Sequence, residues 1–513
     1  MSKLESNQRN PTFGERLDSL IGVFAPEIAL RRHAARIELA RAAGYEGANV
    51  QRNSHGWRSL PNGSGEAINS MSREQARLRA RDLERNSDVV SSIINAFVRN
   101  VVGKGFMLQV RTDNQEWNNQ LEDLWKVWSR PGNCDVTSRY SLNEVLKLIV
   151  RRRMVDGAVL LVKVYDENLP IPFALQLTEV DCLDSGGRIR GKDNNPIVGG
   201  VEVTDYGKPK AYWIKQYDFE SLLEKDPVRI PAERVFYLTD HARISEVREM
   251  TPLVRTITTI KDLDEFFDAT GFKQKISAAV VAFITTQQQA AAAVGTSILA
   301  TNNKDEPTKD GLAKRINPGS ISELKPGQDV KTLVPSGQSS EFAAYNLASM
   351  RRVAAGQGLS YEMVSRDVSQ VNYSSARQNM LEDWKVFEAE QQYLIEHLLD
   401  FVFAEVVNAA ILAGTVKPPK DFYTNQAKYL KHEFIGQGLP WIDPLKEAEA
   451  NATLLQSGQT TLKALYAKKG LDWEEELHQL KAEADLKAEL GLAFENVTPK
   501  SKEDDEGVEK NAE

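Results

Sequence analysis

Apolar positions recur at helical spacing through the first third of the chain. From about 72 to 101, Leu78, Leu83, Val90, Ile93, Ile94, Phe97 and Val101 form one loose stripe. It begins at Ser72-x-x-Gln75, which resembles a capping box, and Gly103 and Gly105 close it. Further helices are predicted over 27–43, 114–129 and 141–155, the last with Leu142, Val145, Leu146, Ile149 and Val150 on one face. Residues 44–65, rich in Gly, Asn, Ser and Pro, read as a loop. The period then changes. Between 157 and about 240, the runs AVLLVKVY, FALQLTEV, IVGGVEV, KAYWIKQY and RVFYLTD are separated by Gly, Pro, Asn and Asp clusters, which predicts five or six strands embedded between helices.

Helical spacing returns at Pro252, a good first-turn residue, and is predicted to run to about Ile284. Two short strands are expected around SISELKP and VKTLVP, with Pro326-Gly327 as the turn, and then a helix over 341–357. A loop over 366–372 precedes the longest predicted helix, capped by Ser374 or Ser375 and running to Ala413. Met380, Trp384, Phe387, Leu394, Leu398, Val402 and Val406 give it one apolar stripe, and it reaches roughly 60 Å at the helical rise. Gly414 and Pro418-Pro419 stop it. Residues 442–490 are predicted helical, and the charged end, SKEDDEGVEKNAE, lacks the apolar residues to fold. The fold class that results is α+β, mainly helical.

Length and charge narrow the function. At 513 residues the chain needs several packed regions. A net charge of −8 excludes a protein that grips phosphates over a broad basic surface. It leaves room for a protein along which DNA slides. The two cysteines, Cys134 and Cys182, read as free buried thiols of a reducing compartment. The polar N-terminus has no signal-peptide core, 276–284 is too short to span a membrane, and 398–416 is broken by Asp400 and Glu405. A soluble chain, made in the cytoplasm, is expected.

The search for catalytic chemistry comes out blank. His432-Glu433 begins like a zinc-protease helix, but Gly436 stands where the second histidine belongs. No phosphate-binding P-loop occurs, Gly103-Lys104-Gly105 lacks a third glycine, and Gly358-Leu359-Ser360-Tyr361-Glu362 lacks the closing glycine of a nucleophile elbow. Glu382-Asp383 and Glu474-Glu475-Glu476 read as solvated helix faces, and Arg151-Arg152-Arg153 as cations that suit a helix C-terminus. No enzyme, cofactor or metal is expected. A nuclease or a maturation protease finds no motif.

One stretch is specific. Residues 316–395 hold INPGSISELKPGQD, then Arg352-Val353-Ala354-Ala355-Gly356-Gln357-Gly358-Leu359-Ser360-Tyr361-Glu362, then an Asp367-x-Ser369-x-x-Asn372-Tyr373-Ser374-Ser375-Ala376-Arg377 run. This resembles the most characteristic part of the lambda-type phage portal family, with Gln328 where an acidic residue is usual and a doubled arginine at 351–352. NCDVTSRYSLNEV, MVDGAVLLV and WIDPLKEAEANATLLQSGQTTL extend the resemblance over about 73–484.

The resemblance implies a ring, typically of twelve subunits, at one vertex of a tailed-phage capsid. Terminase pumps double-stranded DNA in through its channel, and the tail or neck attaches to it. It also implies an N-terminal arm (1–71), a wing (72–251), a stem helix (252–284), a clip (285–340), a second stem helix (341–360) and a channel loop (361–373). A long helix with wing return (374–441), a helical crown (442–495) and an acidic tail (496–513) complete the layout. Expected partners are further copies of the chain, the terminase large subunit, adaptor or neck proteins, capsid and scaffold proteins, and DNA bound without sequence preference; no membrane is expected. The expected location is the virion's portal vertex, after assembly in the host cytoplasm. Arg366, Gln370, Asn372, Tyr373 and Arg377 are the candidates to touch DNA. The bland alternative is that Asp367 pairs with Arg366 or Arg377 while Asn372 and Tyr373 shape the turn. The competing identity is a head-vertex adaptor or minor capsid protein without a channel.

Overall fold

The first apolar stripe folds as two helices, not one. After α1 (Gly65–Asn69), capped by Ser64, come α2 (Arg73–Asn86) and α3 (Asp88–Phe97). Ser87 between them is extended (φ −103°, ψ 124°) and interrupts the hydrogen-bond ladder. A π-turn over Val98–Val102 ends at Gly103, whose φ of 49° suits glycine. Ser72 makes no side-chain cap because its own backbone is already helical (φ −117°, ψ −10°). Leu78, expected in the stripe, is 52% exposed, and the buried face of α2 carries Arg73 and Arg77 instead.

This computed structural model describes residues 63–278 (without 219 and 222), 282–286, 328–332, 339–439 and 444–491. All but Gly63 belong to one compact unit, Ser64–Glu513. The predicted helix over 27–43, most of the 44–65 loop, most of 285–340 and the 496–513 tail lie outside the described residues.

Strand β1 (Met107–Val110) leads into α4 (Gln115–Trp128) and α5 (Leu142–Asp156), both close to their predicted bounds. α5 starts with a true capping box: Ser141 Oγ accepts from Glu144 N at 3.4 Å, and the Glu144 carboxylate accepts from Ser141 N at 2.8 Å.

Seven strands fill the β-rich region: β2 (Ala158–Val164), β3 (Ala174–Thr178), β4 (Ile197–Val198), β5 (Val201–Val203), β6 (Pro209–Ile214), β7 (Val228–Pro231) and β8 (Val235–Thr239). They form two antiparallel sheets, ordered β3-β2-β8 and β4-β5-β6-β7. β7, with Pro231, is the strand the pattern missed. β2 reads as an unbroken apolar run because both of its faces are covered. Val159 and Leu161 enter the large helical core, while Ala158, Leu160 and Val162 enter a second core with Val201, Tyr212 and Ile214 of the other sheet.

α6 (Ile257–Ala278) begins after a 3-10 turn at Pro252–Arg255 and stops short of the predicted 284. The β-branched run beyond it forms β9 (Ala282–Thr286), antiparallel to β10 (Gln328–Thr332), with Val330 opposite Ile284. The predicted strand near 330 is therefore present with a different described partner, and SISELKP lies outside the described residues. α7 (Ser339–Gly356) returns alongside α6, joined by Phe266–Phe342 stacking at 5.4 Å and by Gln357 Nε2 donating to Thr256 Oγ1 at 2.9 Å.

α8 (Tyr361–Ser365) and a short loop lead to α9 (Tyr373–Leu394), a π-turn (Ile395–Leu399) and α10 (Asp400–Leu412), an unbroken helical path ended by Gly414 (φ 74°). Phe387, Leu394, Leu398, Val402 and Val406 of the predicted stripe are buried in the large core. After α11 (Gln426–Tyr429), β11 (His432–Ile435) pairs with β1, so His432-Glu433 sits on a strand rather than a protease-like helix. α12 (Pro444–Gln456), α13 (Leu462–Lys468) and α14 (Trp473–Glu489) follow, α14 without a buried residue.

Ion pairs of low exposure tie α2 to α1, to the end of α5 and to the segment that follows β8. Arg73, Arg77 and Arg81, one turn apart on α2, reach Glu66 (2.8 Å), Glu249 (3.0 Å) and Asp156 (2.6 Å). The Arg151-Arg152-Arg153 triplet is held by carboxylates rather than by the helix end alone: Glu84 takes the first two, and Glu390 and Asp240 the third. Cys134 and Cys182 are free and buried.

Candidate nucleic-acid interface

The loop that carries the candidate residues has a rigid root. Leu359 and Val364 are buried on either side of Ser360, and the Val364 carbonyl accepts from Ser92 Oγ of α3 at 2.6 Å. Ser360 caps α8, its Oγ accepting from Met363 N at 3.2 Å. The same serine donates its backbone N–H to Asp383 Oδ1 (2.7 Å) and its hydroxyl to Asp383 Oδ2 (2.6 Å). Asp383 is 3% exposed, so reading it with Glu382 as a solvated face fails for this residue. Burial pushes its carboxyl up, against the pull of the two bonds from Ser360. Glu382 does face solvent, paired with Lys385 at 2.8 Å.

Arg366 ends α8 in the left-handed region (φ 59°, ψ 19°), its N–H bonded to Glu362 O at 2.9 Å. That turn sends the chain outward. Asp367 Oδ1 then accepts from Ser369 N at 3.0 Å, and the bonds from Ser369 hold its carboxyl below the usual aspartate range. Among the described residues Asp367 pairs with neither Arg366 nor Arg377, so that part of the bland reading is not met. The other part is met at Asn372. Its Oδ1 accepts from Ser375 N and Ser374 Oγ, both at 2.9 Å, and starts α9. The cap is therefore Asn372, not Ser374 or Ser375.

Arg366, Gln370, Asn372 and Tyr373 are exposed, Tyr373 by 50%. Arg377 stands one turn into α9, half-exposed, with Nη2 4.0 Å from Glu447 Oε1 of α12. Between loop and helix lies a cavity of about 350 Å³ lined by Met363, Arg366, Val368, Tyr373, Arg377 and Met380, among others. The structure thus brings Arg366, Tyr373 and Arg377 to one depression, with Gln370 at the tip of the loop. Sequence reasoning missed Lys446, whose Nζ is 5.8 Å from the Tyr373 ring centroid, and the positioning carboxylate Asp383. Lys446 is far away in the chain, and no local pattern marks it. A guanidinium and an aromatic ring at the two ends of an exposed loop, with a second guanidinium one turn into α9, suit weak contact with phosphates and bases, with few cations against an acidic background.

Among the described residues no cluster of His, Cys, Asp and Glu is arranged to hold a metal. Among them, too, no helix is long and apolar enough to cross a membrane.

Residues 50–391 match the family model described as phage portal protein, lambda family. The chain belongs to the lambda family of phage portal proteins. That is a family of structural proteins, and passage of packaged DNA through a portal channel follows from membership. The chain is 25% identical over 495 residues to a probable portal protein of Halomonas phage phiHAP-1, covering 92% of this chain and 94% of the relative. It is 21% identical over 431 residues to portal protein B of Escherichia phage lambda, covering 77% and 81%. Among solved structures, it is similar to a chain of the neck of an empty gene transfer agent particle computed with C6 symmetry (TM-score 0.42, 14% identity, 76% of this chain and 93% of that one). A second is an HK97 family phage portal protein from Corynebacterium diphtheriae (TM-score 0.33, 11% identity, 60% and 85%).

Proposed function

We propose that this lambda-family portal chain closes into a ring of about twelve copies by heterologous contacts that return on themselves by rotation. The ring sits at one capsid vertex of the virion after assembly in the host cytoplasm. Terminase docks to load double-stranded DNA, adaptor or neck proteins replace it, and capsid and scaffold proteins surround it. In this layout the paired α6 and α7 are the stem, the segment between them is the clip, and residues 72–251 form the wing. The 366–372 loop with its α8 root is the channel loop, α9–α10 its support, and α12–α14 the crown.

The observation that carries the reading is the contrast at the loop. Its root is pinned by buried Asp383 and Val364 and by partly buried Ser92, while Arg366, Gln370 and Tyr373 stand exposed beyond it. A rigid root with a polar tip of few cations suits a duplex that must slide, because each phosphate contact is weak and screened by salt. The test replaces Arg366 and Arg377 with Ala together. Rings should still form, while heads package or retain less DNA. Normally filled heads would remove these residues from the DNA path.

A further inference from the structure

The two outer faces of the α6–α7 pair carry opposite charge and lie on opposite sides of it. Phe266 and Phe267 turn toward α7, where Phe266 meets Phe342 and Tyr345 (4.4 Å between centroids for the latter) and Phe267 meets Phe342 edge-on at 5.2 Å. Ile260 and Leu263 are buried. At 3.6 residues per turn, Lys261, Glu265, Asp268 and Phe272 share the far side of α6, with Asp262 beside them. All five are exposed, Phe272 by 66%. Lys261 is engaged by Glu265 at 3.3 Å and exposed Lys275 lies on the same side one turn beyond Phe272, so the acidic part of the face is the stretch of Asp262, Glu265 and Asp268. Just inside it, burial, aided by the charges of Asp88 and Asp268, pushes the Asp264 carboxyl up.

On α7 the side turned away from Phe266 holds exposed Ala344, Ala348, Arg351 and Ala355, and exposed Arg352 stands at its edge, two turns beyond Tyr345. Neither arginine has a carboxylate partner among the described residues; Arg351 lies 5.8 Å from the Tyr361 ring centroid. The alanines leave a flat surface on which another helix can come close. One side of the pair is thus acidic with a protruding phenyl ring, and the other is small, apolar and cationic.

We propose that the Glu265/Asp268/Phe272 face of α6 docks on the Ala344/Ala348/Arg351/Arg352 face of α7 in a second copy of this chain. The inference rests on the ring reading above and adds which surfaces meet and in which direction. Two complementary faces on opposite sides of one element repeat head to tail, which is what a heterologous, closing contact requires. Phe272 supplies the apolar anchor, and the charges set register and exclude the reverse contact, acidic on acidic.

The test uses two full-length variants, Glu265→Arg with Asp268→Arg, and Arg351→Glu with Arg352→Glu. Each makes both faces alike in sign. Purified separately near physiological salt, each should show its assembled fraction reduced by about tenfold or more in native mass spectrometry, since like charges then face each other. Circular dichroism melting should match the wild type, which separates lost docking from lost folding. Mixed in equal amounts, the variants should assemble into rings in which the two alternate, because each acidic face then finds a basic one. Wild-type assembly by each variant alone, or no recovery on mixing, would overturn the docking. A wild type that never assembles would overturn the ring reading itself, and the docking with it.

Discussion

The carboxylate of Asp383 accepts both the backbone N–H and the hydroxyl of Ser360, at 2.7 and 2.6 Å, and so fixes the start of α8 to the middle of α9. The exposed loop is held between those two helices, so one buried acid sets the direction in which the loop leaves the body. Replacing Asp383 with Ala leaves two donors of Ser360 without their acceptor. A cost of about 2–3 kcal/mol is expected in urea unfolding, with faster proteolysis at 366–372.

Asn372 serves the other end of the loop. Asn372→Ala removes the acceptor for Ser375 N, and about 1 kcal/mol of stability should go with it. Asn372→Asp keeps the acceptor and should leave the unfolding midpoint close to that of the wild type.

Arg366 separates charge from backbone. Because its φ is 59°, Arg366→Gly should change stability by no more than about 0.5 kcal/mol while removing the cation. Arg366→Val should cost about 1–2 kcal/mol, since a β-branched residue resists the left-handed region. Denaturant titration of the two variants distinguishes them, and the glycine variant then isolates the effect of charge on DNA.

Glu249 is the centre of the buried ion network. Arg248 grips it through Nε (2.7 Å) and Nη2 (2.8 Å), Arg77 adds a third bond at 3.0 Å, and Tyr237 donates its hydroxyl. Burial alone would raise its carboxyl, but these partners outweigh burial and hold it below the ordinary value of 4.5. Because the folded-state value is the lower one, the stability Glu249 supplies is complete above about pH 4.5. It is lost as the pH falls through the depressed value. Glu249→Gln should cost about 3–5 kcal/mol at neutral pH and flatten the acid limb of a stability-against-pH curve.

Elements were legible in the sequence where one local signal decided them. The apolar face from Leu142 to Val150 announced α5, and Gly414 ended α10 as expected. The errors arose where the deciding partner was distant. The stripe from Leu78 to Val101 continued across Ser87, so nothing in the pattern showed that the helix breaks there. The run after Ala278 is apolar and β-branched, compatible with either state, and pairing with Gln328–Thr332 resolved it as a strand. Asp383 looked like half of a solvated acidic pair because Ser360, its partner, lies on another helix. At the loop, residue types were readable and their exposure followed, but no sequence pattern encodes the depression that collects Arg366, Tyr373 and Arg377.

The central claim is a ring whose hole is lined by the 366–372 loop. Cryo-electron microscopy of the purified full-length protein tests it directly. Closed rings of about twelve subunits, with Arg366 and Gln370 turned to the central opening and α6 of each subunit against α7 of the next, are the expected result. Particles without a central opening, or rings with this loop at the outer rim, would contradict it.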